Sequence, residues 1–312
     1  MKVLFVSSGN NKAGISPIVK KQGESLIKQG VEVTFFTVKG KGLIGYLKNI
    51  PKLRKVIKKN KPDVIHAHYS FCGFISTLSF SGKKIVVSLM VSDVLSKGIS
   101  RFIIRLFHNF SWSKCIVKTE QMKKQIGLKN ISVLPNGVDM EMFKLVPQNI
   151  AIKTLNWNSQ NKHILFAANP ERPEKNFSLA KKAFEQIKVK YENAELHVLK
   201  DVSHEQIPLM MNASDCIILT SLWEGSPNVI KEAMACSRPI VVTKVGDVQE
   251  LLQNTPLTFV VDYNADEITN SVCEILSSTL NTTNGRENIS HLSEDKVAKR
   301  LIKEYENLIS KN

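Results

Sequence analysis

Glu224 and Glu232 lie eight residues apart in Ile217-Ile218-Leu219-Thr220-Ser221-Leu222-Trp223-Glu224-Gly225-Ser226-Pro227-Asn228-Val229-Ile230-Lys231-Glu232-Ala233-Met234-Ala235. This stretch reads as a buried strand, a tight glycine turn and a helix. Ser226 suits the N-cap and Pro227 the first helical position. Such a helix start offers free backbone N–H groups and the positive end of the helix dipole, a natural seat for a phosphate. The two carboxylates would flank that phosphate, each accepting hydrogen bonds from hydroxyls on either side of it. A nucleotide-sugar has that layout: ribose hydroxyls, diphosphate, sugar hydroxyls. The same turn with two glutamates also occurs as plain structure, so its surroundings must decide.

Those surroundings are short apolar runs alternating with longer amphipathic ones. Strands are expected at Val3–Ser7, Val31–Val38, Val64–His68, Ile85–Leu89, Cys115–Lys118 and Ile131–Leu134. A second set falls at Ile164–Ala168, Leu196–Leu199, Cys216–Ser221, Ile240–Thr243 and Phe259–Val261. Helices are expected at Ser16–Gln29, Leu43–Lys59, Ile99–Phe110, Leu179–Tyr191, Pro227–Ala235, Val248–Leu252 and Glu294–Ile309. Strand–helix alternation implies parallel sheets covered on both faces, and two sets imply two doubly wound units. Pro135-Asn136-Gly137 is a strong turn signal, and the polar segment after it, up to Lys162, reads as the linker. In parallel α/β sheets ligands bind at the carboxyl ends of strands, where the turn at Glu224 would lie.

The whole string resembles the Glu-x7-Glu motif of the family 4 retaining glycosyltransferases. Pro239-Ile240-Val241-Val242-Thr243 with Gly246, Pro135-Asn136-Gly137-Val138-Asp139, and the opening with Gly14-Ile15-Ser16-Pro17 and Gly30-Val31-Glu32-Val33 fit that family too. The resemblance runs from residue 2 to about 265, and is nearest to transferases that build envelope polysaccharides of the teichuronic-acid kind. It implies an α/β GT-B fold: two Rossmann-like, doubly wound domains facing a central cleft. Residues 1–140 would be the N-terminal, acceptor-side domain and 141–292 the nucleotide-sugar-binding domain. Residues 293–312 would be a C-terminal helix able to cross back to the first domain.

The resemblance also implies roles. Glu224 would hold a hydroxyl of the donor sugar and Glu232 the ribose. The backbone of Gly225, Ser226, Pro227, Asn228 and Val229 would cradle the phosphates. Gly14 would let the first strand–helix loop approach the diphosphate. Family members neutralise the leaving diphosphate with an arginine and a lysine at the start of the second domain. Here Lys175 matches the lysine, but the arginine position falls on Pro170 or Asn169, leaving Arg172 either as a substitute from a shifted loop or as a solvated charge. The family's His-Gly-Ser-Asp-like sequence reads Met90-Val91-Ser92-Asp93, so Met90 replaces the histidine while Ser92 and Asp93 remain on the acceptor side. His66 and His68 share one strand face, for packing or, in the case of His68, acceptor-side hydrogen bonding.

Composition bounds the partners. Residues 1–150 hold 25 Lys+Arg against 7 Asp+Glu, while the remainder holds 18 against 21, so the basic character belongs to the first half. That asymmetry calls for an anionic partner there. Lys39–Lys61 carries nine Lys/Arg and no acid along an apolar periodicity broken at Pro51, and Lys97–Lys114 mixes basic with aromatic residues. Such stretches can lie on anionic lipid, or be core-facing stripes with a charged solvent face. Nucleic acid has charge alone in its favour. Expected partners are a nucleotide-sugar donor, a glycan or lipid-linked acceptor and peripheral contact with anionic membrane, with the protein cytoplasmic at the inner membrane face.

No Asp-x-Asp pair occurs, so no metal and no cofactor are expected, the nucleotide-sugar being a substrate. The five cysteines are odd in number and widely spaced, which suits buried reduced thiols. No run reaches the ~18 apolar residues of a membrane span, and the first strand is too short for a signal peptide. A dinucleotide oxidoreductase would need Gly-x-Gly-x-x-Gly after that strand, which Ser7–Gly14 lacks. A nucleotide-sugar epimerase, or a non-catalytic binding protein on the same fold, remain the alternatives.

Overall fold

The computed structural model describes the chain except residues 11–13 and 311–312. It divides into two compact units, residues 1–137 with 294–312, and residues 138–293.

The first unit is built on six parallel strands: β1 (Lys2–Ser8), β2 (Glu32–Val38), β3 (Val64–His68), β4 (Lys84–Ser88), β5 (Lys114–Val117) and β6 (Ile131–Val133), in the order β2-β1-β3-β4-β5-β6. The second holds five: β7 (Lys162–Phe166), β8 (Ala194–Val198), β9 (Cys216–Leu219), β10 (Ile240–Thr243) and β11 (Thr258–Val261), in the order β11-β10-β9-β7-β8. Every expected strand is present within one or two residues of its expected ends. Strands buried on both faces are unbroken Val/Ile/Leu runs, and this is why they are legible. In both sheets the order reverses once, between β1 and β3 and between β7 and β9. Loops leaving the carboxyl ends on either side of a reversal diverge to opposite faces and open a crevice.

The first sheet has a core on each face. One is formed with Leu53, Ile75, Ile104 and Trp112. The other is completed by Val297, Ala298, Leu301 and Tyr305 of the helix Glu294–Ile309. Tyr305 is fully buried, and its hydroxyl shares a 2.5 Å hydrogen bond with His66 Nδ1 while His66 Nε2 meets Ser88 Oγ at 2.8 Å.

Two expectations are corrected. Leu43–Lys59 is not one helix but two, Gly42–Leu47 and Ile50–Asn60. Pro51 sits in the first turn of the second, where its missing N–H costs nothing. Asn49 at the break bonds to the carbonyls of Lys39 and Gly45. The presumed linker also carries a helix, Gln148–Thr154, packed through Ala151 and Ile152 on Ala213. Helices Ser70–Leu78, Glu120–Ile126, Ile207–Ala213 and Ala265–Ser277 were not anticipated. The first is buried over most of its length, with small polar residues among its apolar ones, and so shows no clear helical period. Four cysteines are buried, Cys273 is half-buried, and all five are free thiols.

Burial gives His66 and His68 a testable sign. It pushes the imidazole of His66 well below its usual range and that of His68 down to about 3, with Lys118 adding to both and His68 adding to His66. Unfolded histidines take a proton near pH 6.5, so the unfolded state binds more protons than the native state as pH falls below that value. Stability from this source is therefore complete above about pH 6.5 and declines toward pH 3, by up to ~1.4 kcal/mol per pH unit per histidine. Burial raises the Asp93 carboxyl, which offsets part of the decline. Urea midpoints should fall between about pH 7.5 and about pH 5; a flat profile would show that the pair is protonated in the native state.

Candidate functional site

The second sheet reverses between β7 and β9, and the loops leaving those two strands carry the expected residues. After β7 the chain runs through Ala168-Asn169-Pro170-Glu171-Arg172 into a 3₁₀ turn, Pro173–Lys175. After β9 it runs through Thr220–Ser226 into the helix Asn228–Ala235. The two loops are stitched together. Leu222 N donates to Glu174 O at 2.9 Å, and Thr220 Oγ1 donates to the carbonyls of Lys175 and Asn176 at 3.0 and 2.9 Å.

The result is an ion pair between residues 49 apart in the chain: Lys175 Nζ against Glu224 Oε1. Both side chains are largely shielded, at 11% and 18% exposure. Ser221 Oγ donates to the same Glu224 oxygen at 2.8 Å. A cation and a carboxylate are thus held beside a helix N-terminus in a partly desolvated setting, where their fields act more strongly than in water.

Arg172 goes elsewhere. It is 58% exposed and forks onto Glu174, with Nε donating at 2.8 Å. Two residues apart, these partners close on each other, and Arg172 takes no part in the Lys175–Glu224 pair.

The helix start also differs from expectation. Pro227 is extended (φ −68°, ψ 114°) and is itself the N-cap, so the helix begins at Asn228 and Ser226 lies outside it. The Ser226 hydroxyl is buried beside Asp247, whose carboxyl is raised by burial and pulled back by that hydroxyl and by Lys231. Gly225, Asn228 and Val229 lie along the turn and first helical residues, and Glu232 follows half-buried inside the helix.

Gly246 fixes this turn from behind. Its φ is +54°, and a Cβ there would lie 2.2 Å from Gly225 O and 3.2 Å from Glu224 O. The two loops meet backbone to backbone.

Sequence reasoning missed Lys231. It is wholly buried in the same helix, and burial lowers its ammonium to about 8, with Asp247 and Glu232 pulling it back up. A lysine inside a buried apolar face was the available signal. A second missed cluster joins β7 and β8. His163 Nδ1 and His197 Nε2 are 3.0 Å apart, each is 3.6 Å from Glu195 Oε2, and Trp157 stacks on His197 at 3.5 Å. These ligand-type atoms are close enough to share a cation. Neighbouring strands in register bring them to one face, which periodicity within one strand cannot reveal.

In the first unit, His68 ends β3, buried and stacked on His66 with ring centroids 4.3 Å apart. Among the described residues nothing hydrogen-bonds its Nε2. Asp93 is buried, and its Oδ2 accepts the backbone N–H groups of Met90 at 2.8 Å and Ser70 at 3.3 Å. It therefore caps two helix starts, whatever else it binds. Ser92 beside it is exposed. Gly14 has φ +75°, and among the described residues nothing lies within 4 Å of where a Cβ would sit.

Comparison with known proteins follows these lines. The family described as Glycosyltransferase Family 4 matches residues 13–142, and that described as Glycosyl transferases group 1 matches 178–278. The chain is similar to the Escherichia coli UDP-Gal:alpha-D-GlcNAc-diphosphoundecaprenol alpha-1,3-galactosyltransferase, 26% identical over 71% of this chain and 68% of the relative. It is also similar to the Saccharomyces cerevisiae phosphatidylinositol N-acetylglucosaminyltransferase GPI3 subunit, 22% identical over 89% of this chain and 69% of the relative. Among solved structures, sucrose-phosphate synthase from Thermosynechococcus elongatus superposes with a TM-score of 0.81 at 16% identity, covering 100% of both chains; that likeness is one of fold. Two glycosyltransferase families meeting on one chain, on two parallel α/β sheets and around a Glu-x7-Glu turn, place it: the chain belongs to the family 4 glycosyltransferases of GT-B fold.

Proposed function

We propose that this glycosyltransferase moves a hexose or N-acetylhexosamine, with retention of configuration and without a metal, from a nucleotide-sugar to a lipid-linked acceptor during envelope glycan assembly. The observation that carries the reading is the Lys175–Glu224 pair at the reversal of the second sheet. Breaking the bond from sugar C1 to the diphosphate oxygen leaves positive charge on the sugar and negative charge on the phosphate. Lys175 and the N–H groups of the turn and helix start answer the negative charge with preorganised donors. Glu224 accepts from a sugar hydroxyl and Glu232 from the ribose. The acceptor hydroxyl attacks from the face the phosphate leaves, and its proton passes to the departing phosphate oxygen.

The lipid-linked acceptor is supported by the relatives, one named for a diphosphoundecaprenol substrate and one for phosphatidylinositol. It is supported also by the surface of the first unit. Helix Ile99–Phe110 exposes Ile99, Phe102, Leu106 and Phe110, a single stripe 44–81% exposed, and it packs on the same helix, Ser70–Leu78, as the basic helix Ile50–Asn60. Exposed apolar area on a helix that also carries Arg101 and Arg105 suits the headgroup boundary of an anionic cytoplasmic leaflet. No helix among the described residues is long and apolar enough to cross a membrane, so contact would be peripheral.

The test is release of free nucleotide from UDP-, GDP- and ADP-sugars, with and without membrane extract. Release from one donor, raised by extract, is expected. In Glu232→Ala the donor KM should rise about tenfold or more, the worth of a hydrogen bond to a charged group. No release and no binding of any donor would move the chain to a non-catalytic binding role.

A further inference from the structure

The first unit contains an apolar pocket that the transfer chemistry leaves unused. Its volume is about 490 Å³, within the range that holds a drug-sized ligand. Leu47, Phe74, Ile75, Leu78, Ile103 and Phe107 line it, from three different helices. At its rim stand Leu43 and Leu106, 59% and 44% exposed. Its remaining wall includes Tyr69, Ser70 and the buried Asp93.

Leu106 belongs both to this rim and to the exposed stripe Ile99, Phe102, Leu106, Phe110. The apolar face of helix Ile99–Phe110 is therefore broad: it runs from the exposed stripe round to Ile103 and Phe107 at the pocket, while Arg101, Arg105 and Asn109 form its polar side. The pocket thus opens at the edge of the exposed apolar stripe. The opposite wall comes from Gly42–Leu47, within the segment 39–61 that holds nine Lys/Arg and no acid. The pocket thus combines a hydrocarbon interior, a mouth at exposed apolar residues, a wall helix flanked at its two ends by the exposed Lys41 and Lys48, and a polar end.

We infer that this pocket holds the proximal hydrocarbon chain of the phosphate-bearing acceptor lipid, drawing it from the membrane surface while the phosphate stays at the lysine-flanked helix Gly42–Leu47. The inference rests on the lipid-linked acceptor proposed above. It makes the first unit a reader of the lipid as well as of the sugar. Acceptors with the same head and no chain would be poor substrates.

The probes are butyl, octyl and dodecyl phosphate below their micelle concentrations, with inorganic phosphate as the head alone, and binding is read by calorimetry. Affinity should rise with chain length by up to about fourfold per buried methylene until the pocket is filled. Ile103→Trp and Ser100→Trp fill the pocket from a half-buried and an exposed position, and each should flatten that dependence while leaving UDP affinity unchanged. Phe102→Asp, on the outer stripe, should weaken binding to vesicles of anionic phospholipid and keep the chain-length dependence. A flat dependence in the native protein overturns the inference. So does a dependence that survives both tryptophan variants but vanishes in Phe102→Asp, which would place the chain on the outer surface. Alkyl phosphate binding needs no turnover, so its outcome is separate from nucleotide release, by which the transferase reading stands or falls.

Discussion

Lys175→Ala is expected to lower kcat by ~10²–10³-fold with little change in donor KM, the usual cost of removing one preorganised donor at developing charge. Lys175 faces Glu224 in the free protein, and the pair is mostly shielded from water. An ammonium so placed is already oriented when the leaving phosphate gains charge, so its benefit falls on the transition state rather than on binding. Removing it also strands the Glu224 carboxylate, whose remaining hydrogen bond comes from Ser221. The single variant should therefore melt at lower temperature. Lys175→Ala with Glu224→Ala should recover part of that stability and none of the activity. A variant with normal kcat and raised donor KM would show that Lys175 serves binding alone, and the leaving-group assignment would be wrong.

Gly246→Ala carries the other large effect. Alanine there meets two obstacles: a left-handed backbone, and the Gly225 carbonyl 2.2 Å from its new methyl group. The first costs about 1–2 kcal/mol. The second cannot be relieved by a side-chain rotation, because the opposing atom is backbone. The Glu224–Gly225 peptide must move, and with it the carboxylate paired to Lys175. A displacement approaching 1 Å at a positioning group can cost ~10²-fold in rate, so kcat/KM should drop by about that factor. Gly14→Ala is the control for backbone strain: φ is +75°, but no described residue lies within 4 Å of the added methyl group. It should lose stability of about 1–2 kcal/mol and remain folded. Native-like kcat/KM in Gly246→Ala would mean that the two loops move independently.

Much of the molecule was legible beforehand. Eleven strands emerged because buried parallel strands are continuous β-branched and aliphatic runs between Gly, Pro and Asn. The turn around Glu224 and the helix carrying Glu232 emerged because their spacing lies within one strand–turn–helix unit, where local rules hold. Helix Glu294–Ile309 was visible from its apolar face, but which sheet that face covers was not. Packing of Leu301 and Tyr305 against the first sheet, with the Tyr305–His66 hydrogen bond, settles it.

What the sequence by itself determined is therefore local: the strands and about half of the helices, the family, and the candidate groups Glu224, Glu232 and Lys175. The tertiary structure decided their relations. Lys175 meets Glu224 because the strands that precede them, β7 and β9, lie side by side in the sheet, a long-range choice that no spacing encodes. Arg172 turns to Glu174 because a partner two residues away is nearest. The fate of Lys231, the meeting of His163 with Glu195 and His197, and the apolar pocket beside Ile103 and Phe107 depend likewise on neighbours brought from distant segments. Periodicity reports which way a side chain points from its own element; what it then touches is set by the packing of the others.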